Sequence, residues 1–227
     1  MLLNRRLKNA FAVMALAGGV LALASCNQSG GAAGGGGSAL SKHEAASDMP
    51  MGSKDAKVVL VEYASVTCGH CANFHANVLP TIKEKFITPG KVRYVFREFP
   101  TPPVELAMAG HLIARCAGGE KRNLVISTIM RQQQEMVTQA QGPTGAEQYF
   151  KTLAASVGMS DGQFDACLKN ETLLKTLAEV REGGIGAGVT GTPTIFINGV
   201  KFEAPGGREM EPSDLVKALD AALVKAG

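Results

Sequence analysis

The chain has 227 residues, 45% of them hydrophobic and 19% charged, with 23 Lys and Arg against 20 Asp and Glu. That is enough chain and enough apolar content to bury a core of ordinary domain size, which excludes a fibrous or low-complexity protein. The formal charge of +3 offers no basic surface of the kind nucleic acid requires.

The first 25 residues read as a signal peptide. Arg5, Arg6 and Lys8 precede an apolar run over residues 10–24 that is short and rich in small residues for a secure membrane span. The run ends in Leu23-Ala24-Ser25-Cys26, which resembles a bacterial lipobox and implies lipid on Cys26. The competing readings are an ordinary secretory signal with a chance Cys, or an uncleaved anchor helix. Each of them exports the chain. Removal of the three basic residues leaves 20 positive against 20 negative charges, so attachment to a membrane would come from lipid and not from charge.

Residues 26–50, rich in Gly, Ser and Ala, read as a flexible tether. Val58-Val59-Leu60-Val61-Glu62-Tyr63-Ala64 has the composition of a buried strand. A helix is expected from Cys68, capped by Thr67, with Phe74, Val78 and Ile82 at helical spacing and Pro80 kinking it. Val92-Arg93-Tyr94-Val95-Phe96-Arg97 alternates as a second strand, so residues 51–102 open as a βαβ unit. Residues 103–183 read as helical throughout. Leu106, Gly110 and Ile113 share one side, Tyr149, Leu153 and Val157 repeat later, and glycines divide the stretch into several helices. Within residues 184–227, Thr194-Ile195-Phe196-Ile197 and Val200-Lys201-Phe202 flank Asn198-Gly199, a two-residue hairpin turn. A last helix starts near Pro212, with Leu215, Leu219 and Leu223 on one stripe. The order βαβ, helices, ββα describes an α/β sheet domain interrupted by an all-helical insertion.

With Cys26 assigned to lipid, four cysteines remain, and four allow three pairings. The spacing of Cys68 and Cys71 favours their pairing, which leaves Cys116 with Cys167. The latter pair reads as a structural disulfide, against a second redox relay or two free buried thiols. Cys68-Gly69-His70-Cys71 lies at a strand end and a helix start, where unpaired N–H groups and the helix dipole stabilise a thiolate on Cys68. His70 adds a dipole or partial positive charge nearby. Cys71, one turn inside, becomes the resolving thiol. Zinc is the competing use of such a pair, with His75 on the same helix face as Cys71, but Cys116 and Cys167 supply no second ligand pair. No metal and no other cofactor is expected. The glycines over residues 183–191 lead to Thr-Pro and a strand, so they are not a dinucleotide loop. His43, His75 and His111 read as ordinary surface or helix residues.

Residues 59–71, the run Val92-Arg93-Tyr94-Val95-Phe96-Arg97-Glu98-Phe99-Pro100 and Gly191-Thr192-Pro193-Thr194 resemble the DsbA-like family of bacterial thioredoxin-fold proteins, from about residue 53 to the end. The resemblance implies a thioredoxin fold with an inserted helical domain and a cis Pro193 facing the two cysteines. It implies that Thr192, Pro193 and Gly69 meet an extended substrate segment, with Thr192 offering backbone groups. It also implies that Glu62 lies beneath Cys71 and moves its proton, against a plain carboxylate at the sheet edge. The activity implied is dithiol-disulfide exchange that oxidises exported cysteine-containing proteins in the periplasm or cell envelope, with a membrane redox partner reoxidising Cys68 and Cys71. Isomerase or reductase relatives share these motifs, although the glycine-rich N-terminal segment has no heptads for a dimerisation arm. A third reading is a tethered module that holds a client or metal without turnover.

Overall fold

A computed structural model describes residues 42–143 and 145–227. The signal peptide, Cys26 and the tether up to residue 41 lie outside the described residues. Four strands form one mixed sheet in the order β2-β1-β3-β4, comprising β1 (Val58–Ala64), β2 (Val92–Glu98), β3 (Thr194–Ile197) and β4 (Val200–Phe202). β1 runs parallel to β2 and antiparallel to β3, and β3 pairs antiparallel with β4. The chain thus has the thioredoxin-like arrangement, with helices inserted between β2 and β3.

All seven residues of β1 are buried, which explains why the strand is a continuous apolar run and not an alternating one. Its two faces still differ. Val58, Leu60 and Ala64 join the larger core with Phe74, Ile82, Phe96 and Ile113, whereas Val59, Val61 and Tyr63 pack with Val95, Phe99 and Phe196. The period of two places Glu62 on the same face as Leu60 and Ala64, toward the helix that follows β1.

That helix is a continuous run made of α1 (Gly69–Asn73), a π turn (Phe74–Val78), α2 (Leu79–Ile82) and a second π turn (Lys83–Ile87). The expected effect of Pro80 takes this form: lacking an N–H, it sits at the start of α2, just after the wide turn that accommodates it. The cap is not Thr67. Cys68 is the N-cap, its Sγ accepting from the Cys71 N–H. The Thr67 hydroxyl turns instead to the Thr101 carbonyl at 2.8 Å and to Ser65 Oγ at 2.8 Å.

Among the described residues six helices separate β2 from β3: α3 (Val104–Ala117), α4 (Gly119–Arg131), α5 (Gln133–Ala140), α6 (Glu147–Ser156), α7 (Asp161–Leu168) and α8 (Glu171–Gly186). A buried ionic cluster fastens them to the sheet. Glu98 at the end of β2 is fully buried, with its carboxylate accepting from Arg115 of α3 at 2.7 Å and Arg122 of α4 at 2.8 Å. Cys116 and Cys167 are joined in a disulfide, linking the end of α3 to α7.

The hairpin turn forms at Asn198-Gly199, where Asn198 has φ 48° and Gly199 φ 78°. This positive-φ pair suits Asn and Gly. The turn is also tied to β1, because Asn198 N–H donates to the Val59 carbonyl and its Oδ1 accepts from Val59 N–H. α9 (Pro212–Ala226) closes the chain with Leu215 and Leu219 buried against the sheet.

The sequence reading places residues 42–50 in a flexible tether, but this part of the chain is fastened along the free edge of β2. Met51 exchanges backbone hydrogen bonds with Tyr94 at 2.8 and 2.9 Å. Arg93 pairs with Glu44 at 2.8 Å, and Arg97 with Asp48 at 2.7 Å. The strap covers an edge that would otherwise offer unpaired backbone groups to another chain.

Candidate active site

The site sits where β1 ends and α1 begins. Ser65, Val66 and Thr67 make the turn, and hydrogen bonds from two other segments hold it. Ser65 Oγ accepts from the N–H groups of Thr67 and Thr101. Gln133 of α5 reaches over from the helical insertion, its Nε2 donating to the carbonyls of Val66 at 2.8 Å and Cys68 at 2.9 Å.

Cys68 and Cys71 are both free thiols, Cys68 half-buried and Cys71 buried. Cys68 Sγ accepts from Cys71 N–H at 3.2 Å and lies 3.3 Å from the Thr192 carbonyl oxygen. Its acidity is raised, with the pKa lowered from the thiol range to about 6. The largest cause is the hydrogen bond from the Cys71 thiol. Burial opposes the shift, while a hydrogen bond from the Thr192 side chain and the backbone N–H groups of Cys71 and His70 support it. Cys71 is displaced the other way. Burial holds it protonated, helped by its donation to Cys68 and by the negative charge of Glu62. One sulfur is therefore a nucleophile at neutral pH, and its neighbour a protonated, sheltered thiol.

Gly69 and His70 are exposed between them. The His70 ring points outward and its Nδ1 stands 3.3 Å from Glu209 Oε1, which also accepts from Asn73 Nδ2 at 2.8 Å. Glu209, in the loop before α9, thus ties that loop to the first turn of α1. Opposite the cysteines, the Thr192-Pro193 bond is cis. Thr194 steadies the loop by donating its hydroxyl to the Gly191 carbonyl at 2.7 Å.

Glu62 does not lie at a sheet edge. It is fully buried, in the central strand β1, with Oε2 accepting from the Tyr94 hydroxyl and 3.1 Å from His75 Nε2. His75 and His111 do lie in helices, but neither is a surface residue. His75 turns inward to Glu62, and His111 is fully buried beside Phe96. His43 gives its carbonyl to Arg97 at 3.1 Å. Among the described residues no group of three or more His, Cys, Asp and Glu is arranged to hold a metal ion, nor is any helix long and apolar enough to cross a membrane.

Gln133, Tyr94 and Glu209 were not legible as site residues, and His75 was weighed only as a ligand for zinc. For His75 a signal existed, since it lies four residues after Cys71 and so shares its helix face. Tyr94 carried a weaker one: it alternates with Phe96, which pairs with Glu62 in the β1–β2 register. Gln133 and Glu209 reach the site from distant segments and leave no local pattern.

Fold and site together define a thioredoxin-fold dithiol protein with a helical insertion. A family model described as thioredoxin matches residues 44–221, and the chain belongs to that family. It is 32% identical over 161 residues to a Rickettsia bellii protein provisionally named a protein-disulfide oxidoreductase, covering 69% of this chain and 59% of the relative. A Rickettsia typhi protein with the same provisional name is 30% identical over 177 residues, covering 78% of this chain and 62% of the relative. The chain thus spans about three fifths of the length of these curated relatives. Among solved structures it resembles Wolbachia pipientis alpha-DsbA1, with TM-score 0.69 and 25% identity over 81% of this chain and 94% of that one. It also resembles a protein-disulfide isomerase from Novosphingobium aromaticivorans, with TM-score 0.64 and 26% identity over 78% of this chain and 97% of that one. The structural neighbours are DsbA-like.

Proposed function

We propose that the chain is a thiol-disulfide oxidoreductase of the bacterial cell envelope that introduces disulfides into exported proteins at Cys68 and Cys71. The observation that carries this reading is the split between the two sulfurs, an acidic half-exposed Cys68 under the Thr192-Pro193 loop and a buried protonated Cys71 behind it. The split sets the order of events. A substrate thiolate attacks Sγ of Cys68, the Cys68–Cys71 bond breaks, and Cys71 leaves with the electron pair and takes a proton. A second substrate thiolate then attacks the substrate sulfur of the mixed disulfide, and Cys68 leaves as a thiolate. The substrate loses two electrons and the protein gains them. Because Cys68 is a stabilised leaving group, reduction of the protein is favoured and the pair acts as an oxidant.

In this reading Thr192 and Gly69 border the bound substrate segment and Pro193 packs against the exchanging sulfurs. Lipid on Cys26 holds the protein at a membrane, where a membrane redox partner removes the electrons. The neighbour named as an isomerase supports a second direction for the same chemistry.

The reduction potential in glutathione buffers separates the directions. A value near about −120 mV supports an oxidase, and one near about −180 mV or below moves the assignment to isomerase or reductase. Cys68→Ser must abolish exchange. Client binding that persists without any redox transition in the wild-type chain leaves only a tethered binding module.

A further inference from the structure

Behind Cys71 lies one carboxylate with two unlike oxygens. Oε2 of Glu62 is engaged by Tyr94 and His75, while Oε1 is buried with no hydrogen-bond partner among the described residues. A buried acceptor without a donor is unfavourable, so this oxygen is the one free to exchange a proton. Cys71 is within its electrostatic reach.

The chemistry supplies the need. Cys71 takes up a proton each time the pair is reduced and releases one each time it is oxidised, yet its side chain has no exposure to water. Tyr94 does not carry that proton outward, because burial and the adjacent Glu62 raise its pKa well above the phenol range and keep it a fixed donor. His75 is placed differently. It follows Cys71 by one helical turn, keeps 7% of its side chain exposed, and lines a groove of about 1080 Å³ that opens between the helical run and α4. Phe74 and Phe96 hold the ring edge-on at 6.0 and 5.8 Å.

We propose that His75 relays the Cys71 proton between Glu62 and the groove, a role that rests on the exchange reading above. When the Cys68–Cys71 bond breaks, Cys71 leaves with the electron pair and takes a proton from Glu62. That proton is the one Glu62 shares with His75 across their 3.1 Å contact, so Glu62 is left as the anion that holds Cys71 protonated, and His75 takes a replacement from water in the groove. Oxidation by a partner disulfide runs the same path outward, one proton per turnover at this sulfur. His75 acts through Glu62 and is a positioning residue for the reaction. The other titratable or charged groups around the path are Tyr94 of β2, Lys83 of the helical run, and Glu120 and Arg131 of α4. Arg122 and His111 lie beyond Phe96.

The test is rapid-mixing reduction of the oxidised full chain by dithiothreitol from about pH 5 to 8, the range in which a histidine changes charge. His75→Gln retains a donor for Glu62 and cannot relay a proton. It is expected to slow reduction roughly tenfold, less than a group that protonates the reacting atom itself, and to flatten the pH profile while Cys68 still titrates as in the wild type. In His75→Ala, free imidazole entering the groove is expected to restore the rate. An unchanged rate and profile in His75→Gln, or a slow His75→Ala that imidazole fails to restore, overturns the relay. If His75→Ala does not fold, the His75→Gln profile decides alone. A wild-type chain inert to dithiol is a different result, one that removes the exchange reading itself.

Discussion

The Sγ of Cys68 lies 3.3 Å from the carbonyl oxygen of Thr192, so the residue before Pro193 stands directly over the nucleophile. In the reduced protein this sulfur is a thiolate at neutral pH. Iodoacetamide labelling of the reduced protein is expected to rise with a midpoint near the Cys68 pKa of about 6, with Cys71 unlabelled. A midpoint above pH 8 would contradict the geometry. A stability consequence follows, with a definite sign. The pKa of Cys68 falls from 9.0 to about 6 on folding, so between these values the unfolded chain holds the extra proton. The reduced protein therefore gains stability relative to the oxidised one as pH rises through that window, and loses the gain as pH falls through about 6. Urea midpoints of the two forms across pH measure the difference.

Acid should weaken the joint between sheet and insertion. Burial keeps His111 neutral, its pKa lowered from 6.5 to about 4. Glu98 is held at about 2 against its own burial by Arg122 and Arg115. In both cases the unfolded chain binds the proton first. Stability is thus expected to fall from about pH 6.5 toward 4 through His111, and from 4.5 toward 2 through Glu98. Glu98→Gln leaves two buried guanidinium groups short of a counter-charge and should cost about 3 to 5 kcal/mol. Urea denaturation at neutral pH is the measurement, and a loss below about 1 kcal/mol would show that the cluster is not needed for the joint.

These same residues show what the sequence discloses and what it withholds. β1 was legible because a strand buried on both faces must be apolar throughout, and the hairpin because its turn requires two positive φ values that Asn198 and Gly199 tolerate. Cys68 and Cys71 were legible because their chemistry depends on local spacing at a helix start. Glu98, Arg115 and Arg122 form one buried cluster from a strand end and two helices, and no local period marks such a set. The strap was missed for a related reason. Glu44 and Asp48 look like solvated tether charges until Arg93 and Arg97 are seen to alternate outward along β2. Thr67 has the chemistry of a cap, but Cys68 follows it and takes the role with sulfur.

The disulfide between Cys116 and Cys167 closes a separation of 51 residues. In the chain-entropy model a loop of that length stabilises by about 4 kcal/mol. Replacing both cysteines with Ala should lower the unfolding free energy measured in urea by an amount of that order. The labelling profile of Cys68 should not move, because Cys167 is buried against Leu112 and Leu177 in a cluster of its own. A shifted Cys68 profile in the double variant would show that the second disulfide communicates with the first pair.

Gln133 provides the most direct connection between the helical insertion and the redox pair. Its single Nε2 group serves the carbonyls of Val66 and Cys68, fixing the turn that aims Cys68 at Thr192. Val66 is fully buried there, packed so closely on α3 that a Cβ built at Gly110 would stand 2.9 Å from its Cγ2. The turn is therefore gripped from α3 by packing and from α5 by hydrogen bonds. Gln133→Leu removes only the second grip. It leaves the Val66 carbonyl without its side-chain donor, at a cost of about 1 to 3 kcal/mol. The Cys68 carbonyl still receives the Ala72 N–H at 3.0 Å, so the helix start survives. The expected outcome is a folded protein, less stable by that amount, with faster amide hydrogen exchange confined to residues 65–68 and a raised Cys68 pKa as the hydrogen bond from the Thr192 side chain loosens. A variant that loses stability while its exchange pattern and Cys68 titration stay fixed would mean that Gln133 only packs, and that α3 alone positions the nucleophile.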